Sequence, residues 1–150
     1  MFALIIGGTA TVVVIGALWL RRRWLVVAVQ GPSMRPTLHD GDLVLVRRRG
    51  ADGVERGDVV VLRPPSAQVS LGAGLWRAAD DGLQVKRLVA VAGDVVPDGV
   101  RCDGLRLPAG TVAVLSDDLE VGSDSRRWGP YPAAGLVGVV VRRLGGGPRR

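Results

Sequence analysis

The sequence predicts a mainly β domain preceded by one membrane-spanning helix. Three observations carry this: valine-rich stretches recur, glycine and proline punctuate them, and the chain begins with a long charge-free run. Of 150 residues, 47% are apolar but only 4% aromatic, so the core must be built from Val, Leu and Ala. Residues 59–62, 85–91, 112–115 and 137–141 are valine-rich, and β-branched side chains favour strands. The 22 glycines and nine prolines recur between these stretches, as in a compact domain with many turns.

Taken in order, residues 2–20 (FALIIGGTATVVVIGALWL) contain no charge. As a helix they would span roughly 28 Å, close to the hydrocarbon thickness of a bilayer. Trp19 and Trp24 bracket Arg21, Arg22 and Arg23 as interfacial anchors would. The basic cluster comes after the apolar run and no small-residue cleavage site comes next, which favours an uncleaved anchor over a secretory signal. Residues 24–29 read as a strand running into Gly31-Pro32, and residues 43–47 as a second, ended by a turn at 50–53. Residues 59–63 form a third, ended by Pro64-Pro65. Residues 66–82 read as an irregular excursion closed by Asp80-Asp81-Gly82. An apolar strand over 85–92, short hairpins over 93–115 and a last strand over 137–143 complete the pattern. The division is therefore an anchor over 2–20, one domain over 21–144 and a disordered tail over 145–150.

The net charge of +6 raises the question of an anionic partner. Nucleic acid is not expected: the arginines are scattered, with runs only at 21–23 and 47–49, and no nucleic-acid-binding pattern accompanies them. A solvated face or a membrane-facing rim fits better. By the positive-inside rule, Arg21–Arg23 favour a cytoplasmic location for the domain after the anchor. Cys102 is alone, which leaves no intramolecular disulfide, and its flanks read as a hairpin turn. No Cys/His cluster suggests a metal and no glycine-rich phosphate loop suggests a nucleotide, so no cofactor is expected.

One stretch carries a candidate nucleophile: GPSMRPTLHDGD, residues 31–42, with Ser33 between Pro32 and Met34. A nucleophilic serine needs a base. His39 is near in sequence, but it sits in a Leu38-His39-Asp40-Gly41-Asp42 turn and reads as a solvated residue without a fixed orienting partner. Nineteen of the 20 basic residues are arginine, and the single lysine is Lys86. Lysine can lose a proton near neutral pH where arginine cannot. Lys86 lies within the apolar run 83–91, where burial would lower its pKa from about 10.4 towards the 7–8 that a general base needs. From chemistry alone it reads equally as a base or as a strand-edge lysine snorkelling to a surface acid.

Four segments together resemble the type I signal peptidases, serine–lysine proteases of the S26 group. Gly31-Pro32-Ser33-Met34-Arg35-Pro36-Thr37-Leu38 resembles the serine box. Gly57-Asp58-Val59-Val60-Val61 matches the GDVV segment, and Lys86-Arg87 through Gly93-Asp94 the lysine box. Ser116-Asp117-Asp118 and Asp124-Ser125-Arg126-Arg127-Trp128-Gly129-Pro130 match GDN…DSRxWG. The resemblance covers roughly residues 18–143. It implies a mostly antiparallel β domain with Ser33 as nucleophile, Lys86 as base and the Ser33 backbone N–H as an oxyanion donor. It further implies a structural ion pair between Asp124 and Arg126, with Ser125 beside it, and makes Asp117 the acid of GDN. The flanks of the two catalytic positions, Val29-Gln30-Gly31 with Met34 and Leu83-Gln84-Val85, would clasp an extended substrate as an added β-strand. Small residues such as alanine would be favoured at the −1 and −3 positions.

The chain departs from the pattern in places. Gly31 stands where some members carry a serine that completes the oxyanion hole, a donor whose loss can be worth ~3 kcal/mol. Gly122 stands where many carry a serine that orients the lysine, with Ser123 adjacent. Ser116 replaces glycine and Asp118 replaces asparagine. The expected activity is a membrane-anchored endopeptidase removing signal or leader peptides after Ala-X-Ala-like sites. Its partners would be precursor proteins and the lipid bilayer, with the catalytic domain on the outer face of the cytoplasmic membrane. Two alternatives remain: a dedicated precursor-maturation protease facing the cytoplasm, and an inactive anchored scaffold that only binds peptides.

Overall fold

The computed structural model describes residues 14–16, 18–65 and 82–146. Seven strands form one antiparallel sheet: β1 (Trp24–Ala28), β2 (Asp42–Arg48), β3 (Val59–Leu62), β4 (Gln84–Val91), β5 (Thr111–Leu115), β6 (Tyr131–Pro132) and β7 (Leu136–Gly146). Their order across the sheet is β1-β2-β7-β3-β4-β5-β6. The chain thus leaves the first hairpin, builds the far half of the sheet, and returns through β7 to bridge β2 and β3. The mainly β, antiparallel expectation holds. The expected excursion over 66–81 lies outside the described residues.

Alternation of side chains fixes which residues face inward. Val60 and Leu62 belong to a cluster with Leu88, Val112, Val114 and Tyr131, whereas Val61 packs on the opposite face with Val27, Val29, Met34, Val44 and Val46. Both faces of the central sheet are therefore covered, which is why its strands read as continuous valine runs instead of polar–apolar alternation. Val44, Val46, Val60 and Val61 are fully buried, each worth about 1.5–3 kcal/mol relative to exposure. A core of small branched residues supplies the burial that aromatic residues usually provide.

Two details differ from the sequence expectation. β7 runs through Gly145 and Gly146, which pair with Leu43 and Asp42, so the sheet reaches two residues into the expected tail. A register shift beside Val44 and an ion pair between Arg143 and the buried Asp42, at 3.0 Å, hold this end. A single helical turn at Ser125–Trp128 is capped by the Asp124 carboxylate on the Arg126 N–H, where the sequence pattern predicts no helix. Four residues carry too little periodicity to announce one.

No helix among the described residues is long and apolar enough to cross a membrane. Most of the 2–20 run lies outside the described residues. Residues 18–23 are helical and lead directly into β1, with Arg23 stacked on Trp19 at 4.5 Å. Leu18, Trp19 and Leu20 are more than half exposed.

Candidate active site

Ser33 and Lys86 line one cleft of about 240 Å³, between the end of β1 and the start of β4. Lys86 gets there by strand alternation. It shares the buried face of β4 with Leu88 and Ala90 and pairs with Val60 in the register with β3. Only 4% of its surface is exposed. Its ammonium is costly there, and burial lowers the pKa from 10.5 to about 8, opposed in part by the charge of Asp124 and assisted by that of Arg126. Lys86 is therefore a buried, readily deprotonated amine and not a lysine reaching out to a surface acid. Its Nζ donates to the hydroxyl of Ser116 at 2.8 Å.

Ser33 gets there by a different route, through a loop held from three sides. Met34, fully buried, plugs into the cluster with Val27, Val29 and Leu38. The Asp118 N–H donates to the Ser33 carbonyl at 3.0 Å. Thr37 donates its hydroxyl to Asp117 at 2.5 Å, and Arg87 grips the same carboxylate with two bonds of 2.6 Å. Burial raises the pKa of Asp117, but the bonds from Arg87 and Thr37 outweigh it and hold the carboxyl below its ordinary value.

Residues 116–118 thus form the hub of the site. Ser116 meets Lys86, Asp117 meets Arg87 and Thr37, and Asp118 meets the backbone of Ser33. Asp124 anchors this hub. It is 1% exposed, accepts from the Ser116 N–H at 2.9 Å and pairs with Arg126 at 2.7 Å. Burial pushes the Asp124 carboxyl up, yet Arg126 and the backbone donors bring it below the ordinary carboxylate value. Ser125, fully buried, accepts from the Val114 N–H at 3.0 Å and ties the helical turn to β5.

The expected clasp residues are brought together in part. Val29, Gln30, Met34, Leu83, Gln84 and Val85 all line the cleft, whereas Gly31 is not among its lining residues. Gly31 has φ +81° and its N–H donates to Asp40 at 2.7 Å. An L-residue is strained at that φ, so the backbone here favours glycine. His39 is exposed, its N–H held by Asp42 at 2.8 Å, as a turn residue would be. Ser123 lines the cleft, but its hydroxyl accepts from the Trp128 indole. The hydroxyl on Lys86 comes instead from Ser116, which in the sequence stands out only as a departure from the family pattern. The signal available was the pairing of that extra serine with the missing one at 122.

A family model for signal peptidase, peptidase S26, matches residues 3–99. The chain belongs to the S26 signal peptidase family. Among its S26 relatives, the mitochondrial inner membrane protease subunit 1 of Mus musculus is 32% identical over 125 residues, covering 79% of this chain and 68% of the relative. The mitochondrial ATP-independent inner membrane protease subunit 1b of Arabidopsis thaliana is 33% identical over 123 residues, covering 76% and 66%. A probable signal peptidase I-1 of Synechocystis is 26% identical over 139 residues, covering 77% and 68%. Membership in this family makes the chain a peptidase whose substrates are precursor proteins with leader peptides, and its relatives are membrane-associated.

Proposed function

We propose that this S26 peptidase is a membrane-anchored serine endopeptidase that removes signal or leader peptides after small residues, using Ser33 and Lys86 as its dyad. The observation that carries the reading is a buried lysine, with its pKa lowered to about 8, in the same cleft as the serine. In the reaction, neutral Lys86 accepts the Ser33 hydroxyl proton as Oγ attacks the scissile carbonyl. The Ser33 N–H donates to the resulting oxyanion. Collapse breaks the C–N bond, and the Lys86 ammonium returns its proton to the leaving amine. Water then adds to the acyl-enzyme with Lys86 again taking the proton, and Ser33 is released.

Among the described residues, two strand edges without a sheet partner support an extended substrate. β1 stands at the margin of the sheet. Gln84 to Lys86 pair with β3 on one side, while β5 joins β4 only from Arg87 onward among the described residues. A peptide between them could take up main-chain hydrogen bonds from either edge. The apolar run 2–20 would serve as the anchor, with the catalytic domain outside the cytoplasmic membrane.

The test is cleavage of a precursor bearing an Ala-X-Ala site by full-length protein in detergent or vesicles. Ser33→Ala and Lys86→Arg should each reduce kcat/KM about a thousandfold or more. In the wild type, kcat/KM should rise with pH through a midpoint near 8, because only the neutral amine accepts the proton. Activity retained by Lys86→Arg would remove lysine from the mechanism. Protease accessibility of the domain in spheroplasts reads its orientation: cleavage from outside is expected, and protection would place the domain in the cytoplasm.

A further inference from the structure

We propose that Ser116 is the positioning residue for Lys86, and that positions 116 and 122 are an exchangeable pair of which only one can carry a side chain. The inference rests on Lys86 being the base, and concerns what aims it. A primary amine at the end of four methylenes rotates freely unless something holds it. Here one N–H donates to Ser116 Oγ at 2.8 Å, which fixes that rotation and leaves the lone pair for the cleft. Ser116 is itself immobile: it is 2% exposed and its N–H is held by the buried Asp124.

Gly122 faces the same amine from the side that the Ser116 hydroxyl occupies. It lines the cleft with φ +141°. A Cβ at 122 would lie 2.1 Å from Ser116 Oγ, 2.9 Å from Ser116 Cβ and 3.5 Å from Lys86 Nζ. The volume that a side chain at 122 would enter is thus the volume the Ser116 hydroxyl already fills, beside the same amine. A hydroxyl can reach Lys86 from either backbone, but not from both at once. The glycine at 122 and the serine at 116 are therefore coupled through one volume, and φ +141° adds a backbone preference for glycine at 122.

The experiment uses full-length protein and four forms: wild type, Ser116→Ala, Gly122→Ser and the double variant Ser116→Gly/Gly122→Ser. Lys86 is the sole lysine, so ¹³C-lysine labelling gives a single side-chain NMR signal whose titration needs no assignment and no turnover. Ser116→Ala should lower kcat roughly ten- to a hundredfold with KM little changed. It should also move the lysine midpoint downward, since the lost acceptor favours the charged form. Gly122→Ser alone should be worse than Ser116→Ala, and the double variant should recover at least about tenfold over it. If Gly122→Ser fails to fold, a folded double variant with a restored lysine midpoint carries the same conclusion. Wild-type kcat and an unmoved lysine midpoint in Ser116→Ala would overturn the positioning role. A double variant no better than Gly122→Ser alone would overturn the exchange. Neither result touches the dyad, which stands or falls with Lys86→Arg.

Discussion

Lys86 rides on the inward face of β4, between β3 and β5, whereas Ser33 lies in the loop between β1 and β2. The strand fixes its lysine through short-range geometry: side chains alternate, Leu88 and Ala90 face the core, and Lys86 must follow them. The serine loop has no such rule. Its position depends on Met34 in the core, on Asp118 against the Ser33 carbonyl, and on the Thr37–Asp117–Arg87 network. Thr37 and Asp117 alone are 80 positions apart in the chain. One half of the cleft is thus held by sheet register and the other by a few long-range polar contacts. The two halves should respond differently to substitution.

The largest effect should come where both halves depend on one group. Asp124→Ala removes the carboxylate that holds Ser116 and Arg126. Chemical denaturation should show a loss of about 3–5 kcal/mol, because the buried Ser116 N–H and the partly exposed Arg126 both lose a buried, charged acceptor. Because the folded state holds this carboxyl below 3.8, its contribution is fully present above the unfolded value and is lost as pH falls through the folded one. The wild type should therefore lose more stability than an Asp124→Asn variant on acidification below about pH 4.

A change confined to the strand half has the opposite sign. The folded chain disfavours the Lys86 ammonium, with a pKa of about 8 against 10.5. Between those values the unfolded chain binds the extra proton, so stability rises with pH across that window, and below pH 8 the full penalty applies. Lys86→Met should raise stability at pH 7 by up to about 3 kcal/mol while abolishing cleavage. The gain should shrink as pH approaches 10.5. Equal stability of the two proteins at pH 7 would mean that the amine is not desolvated.

Loosening the loop half should be milder in stability and visible mainly in turnover. Asp117→Asn weakens the two-pronged bond from Arg87, a partly exposed pair worth about 1–2 kcal/mol. It should lower kcat about tenfold, with a flexible Ser33 loop showing faster amide exchange. The smallest effect should come from Gly31→Ala. Nothing lies within 4 Å of the added Cβ, so only the strain of φ +81° remains, about 1 kcal/mol.

Much of this molecule could be read from the chain before folding was considered. Valine runs bounded by glycine and proline located β1 to β5 and β7 to within a few residues, because strand propensity and turn chemistry are local. The solitary lysine in an apolar strand left a buried amine and a snorkelling strand-edge lysine equally open, and its burial in the folded chain decides for the first. The short turn at Ser125–Trp128, the extension of β7 through Gly146 and the three-residue hub at 116–118 were not legible. The last two depend on partners distant in sequence, and the four-residue turn is too short to show a period.

The hydroxyl beside Lys86 marks where that division falls. Sequence alone established that a serine was present at 116 and a side chain absent at 122. That the two face one amine, within a volume that admits a single side chain, depends on where β5 ends and how the loop to Asp124 turns back. Propensity acts over a few residues, and exclusion of one atom by another acts only once the fold has brought them together.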